Sequence, residues 1–209
     1  MRHNPSTVVV LAGRTDERVL AILGRSLNVV LVRPEQPPAD GVPEVEAAAA
    51  ALRRATGIAA PYVLVAADPL GSVAVAWQAM WAVTAEPRGS DEFELRAAEA
   101  LAEWRAKRFE LPDYYLVLAE DIAPGGVDGS GAGARRADFY LGPLHAVRPN
   151  RVSVAAGASP EAQAGALLSE LGSLRHGPWW PSLDEVFRTA RGFYPGSLAQ
   201  SAGQAITLS

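Results

Sequence analysis

Three segments of this 209-residue chain repeat one order: a short apolar run, a helix-start signal, then a helical stretch. Residues 7–12 (Thr-Val-Val-Val-Leu-Ala) lead into Gly13-Arg14-Thr15-Asp16, residues 62–67 into Asp68-Pro69, and residues 151–156 into Gly157-Ala158-Ser159-Pro160. A run without polar alternation suits a strand covered on both faces. Helices placed between such strands supply the long crossovers that parallel pairing requires. The pattern therefore predicts an α/β fold of Rossmann-like, doubly wound type: a mainly parallel sheet of about five strands with helices on both faces.

The other elements fall into the same scheme. Residues 27–32 and 114–119 read as further strands. Thr15 is the expected N-cap of the first helix, with Asp16 and Glu17 in its first turn, where carboxylates favour the positive end of the helix dipole. Pro43 and Gly57 bracket a helix over 44–56, while Asp68-Pro69 reads as an N-cap followed by the first helical residue. Two helices in succession, around residues 70–109, form an extra helical element, with Trp77 and Trp104 each on an apolar face. Residues 138–141 and 151–156 look extended, and 138–156 fits a hairpin or an irregular connection equally. Ser159-Pro160 opens a helix, and Ser182-Leu183-Asp184-Glu185 is a capping-box pattern before the last one. Residues 122–137 are expected to form a flexible loop, since five glycines fall within 124–133 and no apolar period survives there. The tail, 196–209, is small and polar and is expected to fray, and residues 1–209 are read as a single domain.

Composition narrows the function classes. A net charge of −4 argues against a general nucleic-acid binder, whose phosphate contacts need a basic face. No cysteine is present, which removes thiolate nucleophiles, iron–sulfur clusters and cysteine-ligated zinc. Nor does the start of the chain resemble a signal peptide, and no apolar run approaches the ~18 residues of a membrane span. A soluble, cytoplasmic protein without membrane association follows as the expectation.

Ligands of open parallel sheets bind beyond the carboxyl ends of the strands. That rule nominates Arg14, Asp16, Asp68, Glu120 and Asp121, which follow strands. Asp16 and Asp68 already have work in helix initiation, and no metal or cofactor is expected. The glycines of 129–133 do not follow a strand directly and open no helix, so they make no dinucleotide fingerprint, and no Gly-Lys-Ser/Thr ending marks a P-loop. Ser159 sits where a hydrolase nucleophile would, yet Glu161 replaces the closing glycine and no histidine completes a triad.

Two features point instead to a partner surface. Arg135, Arg136, Arg148 and Arg151 against Asp138 give 4 − 1 = +3 in an otherwise acidic chain, with His145 among them. Trp179 and Trp180 are adjacent in a proline-bounded segment, where consecutive side chains point to opposite sides and one stays accessible. The favoured reading is a non-catalytic protein-interaction or regulatory module. Its contact surface would be Arg135, Arg136, His145, Arg148, Trp179 and Trp180, meeting an acidic, partly apolar partner. The alternative is an enzyme or binder acting on a small phosphorylated or carboxylated metabolite at the carboxyl edge of the sheet. There Asp68, Glu120 and Asp121 would supply acid–base chemistry, the arginines would hold the anion, and the glycine loop would act as a lid.

Overall fold

The strands β1 (Thr7–Ala12), β2 (Val29–Val32), β3 (Tyr62–Val65), β4 (Tyr114–Leu118) and β5 (Val152–Ala155) form one all-parallel sheet in the order β2-β3-β1-β4-β5. The computed structural model describes residues 6–13, 15–34, 44–81, 88–118 and 136–194. Of the expected loop over 122–137, residues 122–135, Arg135 included, lie outside the described residues, as do the tail from 196, Arg14, Glu120 and Asp121, while Arg136 and Ala137 are helical and not loop. No helix of the described residues is long and apolar enough to cross a membrane.

The apolar runs are explained by the two faces they serve. In β1, Val8, Val10 and Ala12 join the core on one side of the sheet, while Val9 and Leu11 join the core on the other. In β4, Tyr115 and Val117 face one way and Leu116 and Leu118 the other, all fully buried. Each fully buried valine or leucine contributes roughly 1.5–3 kcal/mol relative to exposure, so a polar residue at any of these positions would be costly.

The helices α1 (Glu17–Leu23) and α7 (Pro160–Ser173) cover one face. The other carries α2 (Glu44–Thr56), α3 (Gly71–Met80), α4 (Arg88–Arg105), α5 (Arg136–Phe139) and α8 (Leu183–Gly192). Right-handed crossovers explain the division. From β1 the chain moves toward the β2 edge and places α1 on one face. From β2, β3 and β4 it moves the opposite way, and the connecting helices fall on the other face. The winding thus reverses at β1, and that reversal opens a crevice at the carboxyl edge.

The two consecutive helices expected around 70–109 are present as α3 and α4. Trp77 is fully buried, its indole N–H donating to the Ala190 carbonyl at 2.8 Å, while Trp104 is only partly buried against the same core. Ser159 and Ser182 cap α7 and α8 as expected, accepting from the N–H groups of Ala162 and Glu185. In α1 the cap is Asp16, which accepts from the Arg18 N–H at 2.8 Å, one residue later than the expected Thr15.

Residues 138–141, expected to be extended, are helical. α5 runs into a π-turn (Tyr140–Leu144) and then α6 (His145–Val147), followed by a 3₁₀ turn (Pro149–Arg151) into β5. Neither a hairpin nor an irregular link joins 138 to 156. The β-like letters Phe139-Tyr140 are overridden by tertiary packing: Phe139 meets Trp77 edge-on at 5.9 Å, and Tyr140 meets Tyr115 at 5.6 Å. Gly142-Pro143 reads as a breaker, because proline lacks an N–H and its ring crowds the carbonyl four residues back. The π-turn absorbs both defects by widening the helix there, and the helix continues.

Candidate functional site

At the carboxyl edge, Gly13 leaves β1 with φ 112°, a conformation that L side chains rarely adopt. Its turn, together with those after β2 and β3, borders a cleft of about 280 Å³. Gly13 and Thr15 come from the first turn, Arg33 and Pro34 from the second, and Ala66, Ala67 and Asp68 from the third. Among the described residues, Glu17, Glu44 and Arg136 add to its charged lining, and Arg33 donates to Glu17 at 2.6 Å.

Asp68 is the centre of this site. It is not the expected N-cap: that position falls to Leu70, which has no side-chain cap bond, so Pro69 precedes the helix, and one Asp68 oxygen, Oδ1, accepts from the Leu70 N–H at 2.9 Å in the turn ahead of α3. Oδ2 accepts from the Tyr140 hydroxyl, which the π-turn brings over the carboxylate. Arg136, at the start of α5, reaches the same hydroxyl and acts on Asp68 through its charge. Burial pushes the Asp68 carboxyl above its ordinary pKa, outweighing in turn Tyr140, the Leu70 N–H and Arg136, all of which favour the anion. The Tyr140 and Tyr115 hydroxyls are both held well above the ordinary tyrosine range, first by burial and then by the neighbouring Asp68 charge. Tyr115 comes from β4, and its buried hydroxyl makes no hydrogen bond of full geometry among the described residues.

Gly71, the first residue of α3, completes the arrangement. A Cβ there would lie 2.8 Å from Nη2 of Arg136, so a larger residue would displace the end of that side chain.

The residues nominated for a partner surface do not converge. Arg136 lies at the carboxyl edge beside Asp68, whereas Arg148, Trp179 and Trp180 lie at the amino edge. Arg148 donates to the Trp179 carbonyl through Nε and to the Val147 carbonyl at 2.8 Å. Arg151 is buried and spends its guanidinium on three backbone carbonyls, of Pro178, Asp113 and Gly177, at 2.7–2.9 Å. Trp179 covers that guanidinium at 4.7 Å and remains 42% exposed, while Trp180 turns inward and donates to the Pro112 carbonyl at 2.7 Å. His145 is exposed on α6. The adjacent tryptophans therefore split as extended geometry demands, but the arginines around them bond to the carbonyls of Gly177, Pro178 and Trp179 rather than present a fork to a ligand.

Sequence reasoning reached Asp68 and Arg136 separately and missed Tyr140, Tyr115 and Gly71. Tyr140 read as part of a strand, Tyr115 as one more core residue, and Gly71 as an ordinary helix residue. Among the described residues no group of three or more histidine, cysteine, aspartate or glutamate side chains gathers as metal ligands would. Comparison with protein-family models, with curated proteins and with solved structures found no significant match.

Proposed function

We propose that this protein binds a small metabolite bearing a carboxylate or phosphate in the carboxyl-edge cleft, with Asp68 as the acid–base group of the site. One observation carries the reading: the Asp68 carboxylate, fixed by Tyr140 and Leu70, lines the cleft beside Arg136. A carboxylate has about four acceptor positions, and Tyr140, the Leu70 N–H and the nearby Tyr115 hydroxyl do not use them all. A pKa raised by burial brings the group nearer the range in which it takes and returns a proton at neutral pH. The cleft also lies where open parallel sheets most often bind ligands, at the reversal of winding.

The test is a thermal-shift screen of small carboxylates and sugar phosphates against the wild-type protein and Asp68→Asn. A ligand at about 100 times its Kd adds about 2.7 kcal/mol of stability, well within detection. The expected result is at least one compound that stabilises the wild type and binds the variant about tenfold more weakly or worse. A screen without hits, or hits indifferent to Asp68→Asn, rejects the reading.

The exposure of Trp179 supports a second reading, a protein contact at the amino edge. Trp104, Leu111, Trp179, Trp180 and Pro181 line a groove of about 400 Å³ there, which would receive an apolar side chain of a partner. Partner recovery from native extract that is unchanged by Trp179→Ala rejects it.

A further inference from the structure

We infer that Phe193, at the end of α8, is a positioning residue for the cleft: seated on Gly142, it holds the π-turn in the form that sets the Tyr140 hydroxyl on Asp68. This rests on the reading of Asp68 as the acid–base group.

The π-turn has little of its own to sustain it. Pro143 lies inside it without an N–H to donate, its ring crowds the preceding turn, and the residue before a proline is pushed away from helical backbone. What the turn keeps is a wide bond, from the His145 N–H to the Tyr140 carbonyl five residues back. That bond fixes the backbone from which the Tyr140 phenol extends. A segment that local preference would break takes its shape from what packs on it.

Phe193 packs on it closely. A Cβ on Gly142 would lie 2.6 Å from Cε1 and 2.9 Å from Cζ of the Phe193 ring, so the ring occupies space that a side chain at 142 would need. Phe193 is itself held in place: its N–H donates to the Ala190 carbonyl at 3.4 Å, and the same carbonyl accepts from the Trp77 indole at 2.8 Å. Trp81, edge-on to Tyr194 at 5.5 Å, adds a second tie between α3 and this end of α8. The contacts close a ring. Asp68 leads into α3, α3 grips the end of α8 through Trp77, α8 sets Phe193 on Gly142, and the π-turn returns Tyr140 to Asp68. Close-packed side chains in such a ring pass a displacement at Phe193 on to the phenol oxygen.

The experiment is a carbon-13 NMR titration of the side-chain carboxyls of the full chain, with the Asp68 signal assigned by its loss in Asp68→Asn. Tyr140 leads the groups that favour the Asp68 anion, so Tyr140→Phe should raise the Asp68 midpoint, by at least about 0.5 pH unit for one lost hydrogen bond. Phe193→Ala should raise it in the same direction by at least about half as much, and Phe193→Leu, which keeps apolar bulk, should fall between. Arg136 and Tyr115, which also act on Asp68, are kept in every variant. In the Tyr140→Phe background Phe193→Ala should add nothing, because the oxygen through which it acts is gone. Gly142→Ala intrudes on the same contact from the turn side and should raise the midpoint as well, which decides the matter if Phe193→Ala does not fold. A midpoint unmoved by Phe193→Ala or by Gly142→Ala overturns the inference, as does an effect of Phe193→Ala that persists in full without the Tyr140 hydroxyl. If the metabolite screen yields Asp68-dependent hits while these variants leave the midpoint in place, this inference alone fails; a silent screen rejects the cleft reading, and this inference with it.

Discussion

The two edges of the sheet use arginine in opposite ways. At the amino edge, Arg151 is buried with its guanidinium donating to the carbonyls of Pro178, Asp113 and Gly177, between the rings of Tyr114 and Trp179. At the carboxyl edge, Arg136 lines a cleft with Asp68, acts on it through its charge and reaches the Tyr140 hydroxyl. A guanidinium that satisfies three fixed carbonyls is a clasp, because it joins backbone of separate segments. A guanidinium beside a carboxylate and a phenol belongs to a set whose charge balance a ligand can alter. What the partners are, not how many arginines a segment holds, separates structure from function here.

The contrast is broken or sharpened first at Trp180. It is buried, edge-on to Tyr115 at 5.8 Å, and bonded to the Pro112 carbonyl. Trp180→Ala is expected to cost about 3–5 kcal/mol in urea unfolding, whereas Trp179→Ala, losing a half-exposed ring that covers Arg151, should cost about 1 kcal/mol. Equal costs would show that the amino edge is not anchored through one tryptophan alone.

Arg151→Ala comes next. Removing it strands three carbonyls at the edge, some of which water then reaches, for an expected loss of about 3 kcal/mol. Arg136→Ala should cost less, about 1–2 kcal/mol, since it removes one charge beside Asp68 and no printed bond to a backbone carbonyl. The pair is measured by urea midpoints under identical conditions. A loss for Arg136→Ala as large as that for Arg151→Ala would make both edges structural.

The same contrast explains what the sequence reveals. Strand and helix order is legible because burial on both faces writes itself as unbroken apolar runs, and the caps Ser159 and Ser182 act within three residues of themselves. The site is less legible because it is assembled across distance: Asp68 meets Tyr140, 72 residues on, at the start of the π-turn that contains Gly142-Pro143. A local motif explains Asp68 through its bond to Leu70, and that explanation, correct for one oxygen, conceals the other. The arginine cluster misleads for the converse reason. Arg136 and Arg148 are near in sequence, yet the helical segment from α5 to α6 carries the chain from one edge of the sheet to the other.

The finest test of the carboxyl edge is the pH dependence of Asp68. Its folded pKa is raised by burial, so between the ordinary aspartate range and the folded value the native state holds a proton that the unfolded chain has lost. Stability then falls as pH rises through that window, because its slope with pH has the sign of protons bound unfolded minus folded. Below the window the carboxyl is neutral in both states and the penalty vanishes. Asp68→Asn, which keeps an acceptor for the Tyr140 hydroxyl but cannot ionise, should therefore gain on the wild type as pH increases and hold a constant margin above the window. Tyr140→Phe should widen the window upward, since it removes the strongest group favouring the Asp68 anion. Urea unfolding of the three proteins across a pH series measures both effects. If the wild type instead gains on Asp68→Asn with rising pH, then Tyr140, the Leu70 N–H and Arg136 together outweigh burial. Asp68 would in that case be a satisfied helix-turn carboxylate like Asp16, and the two edges would no longer differ in kind.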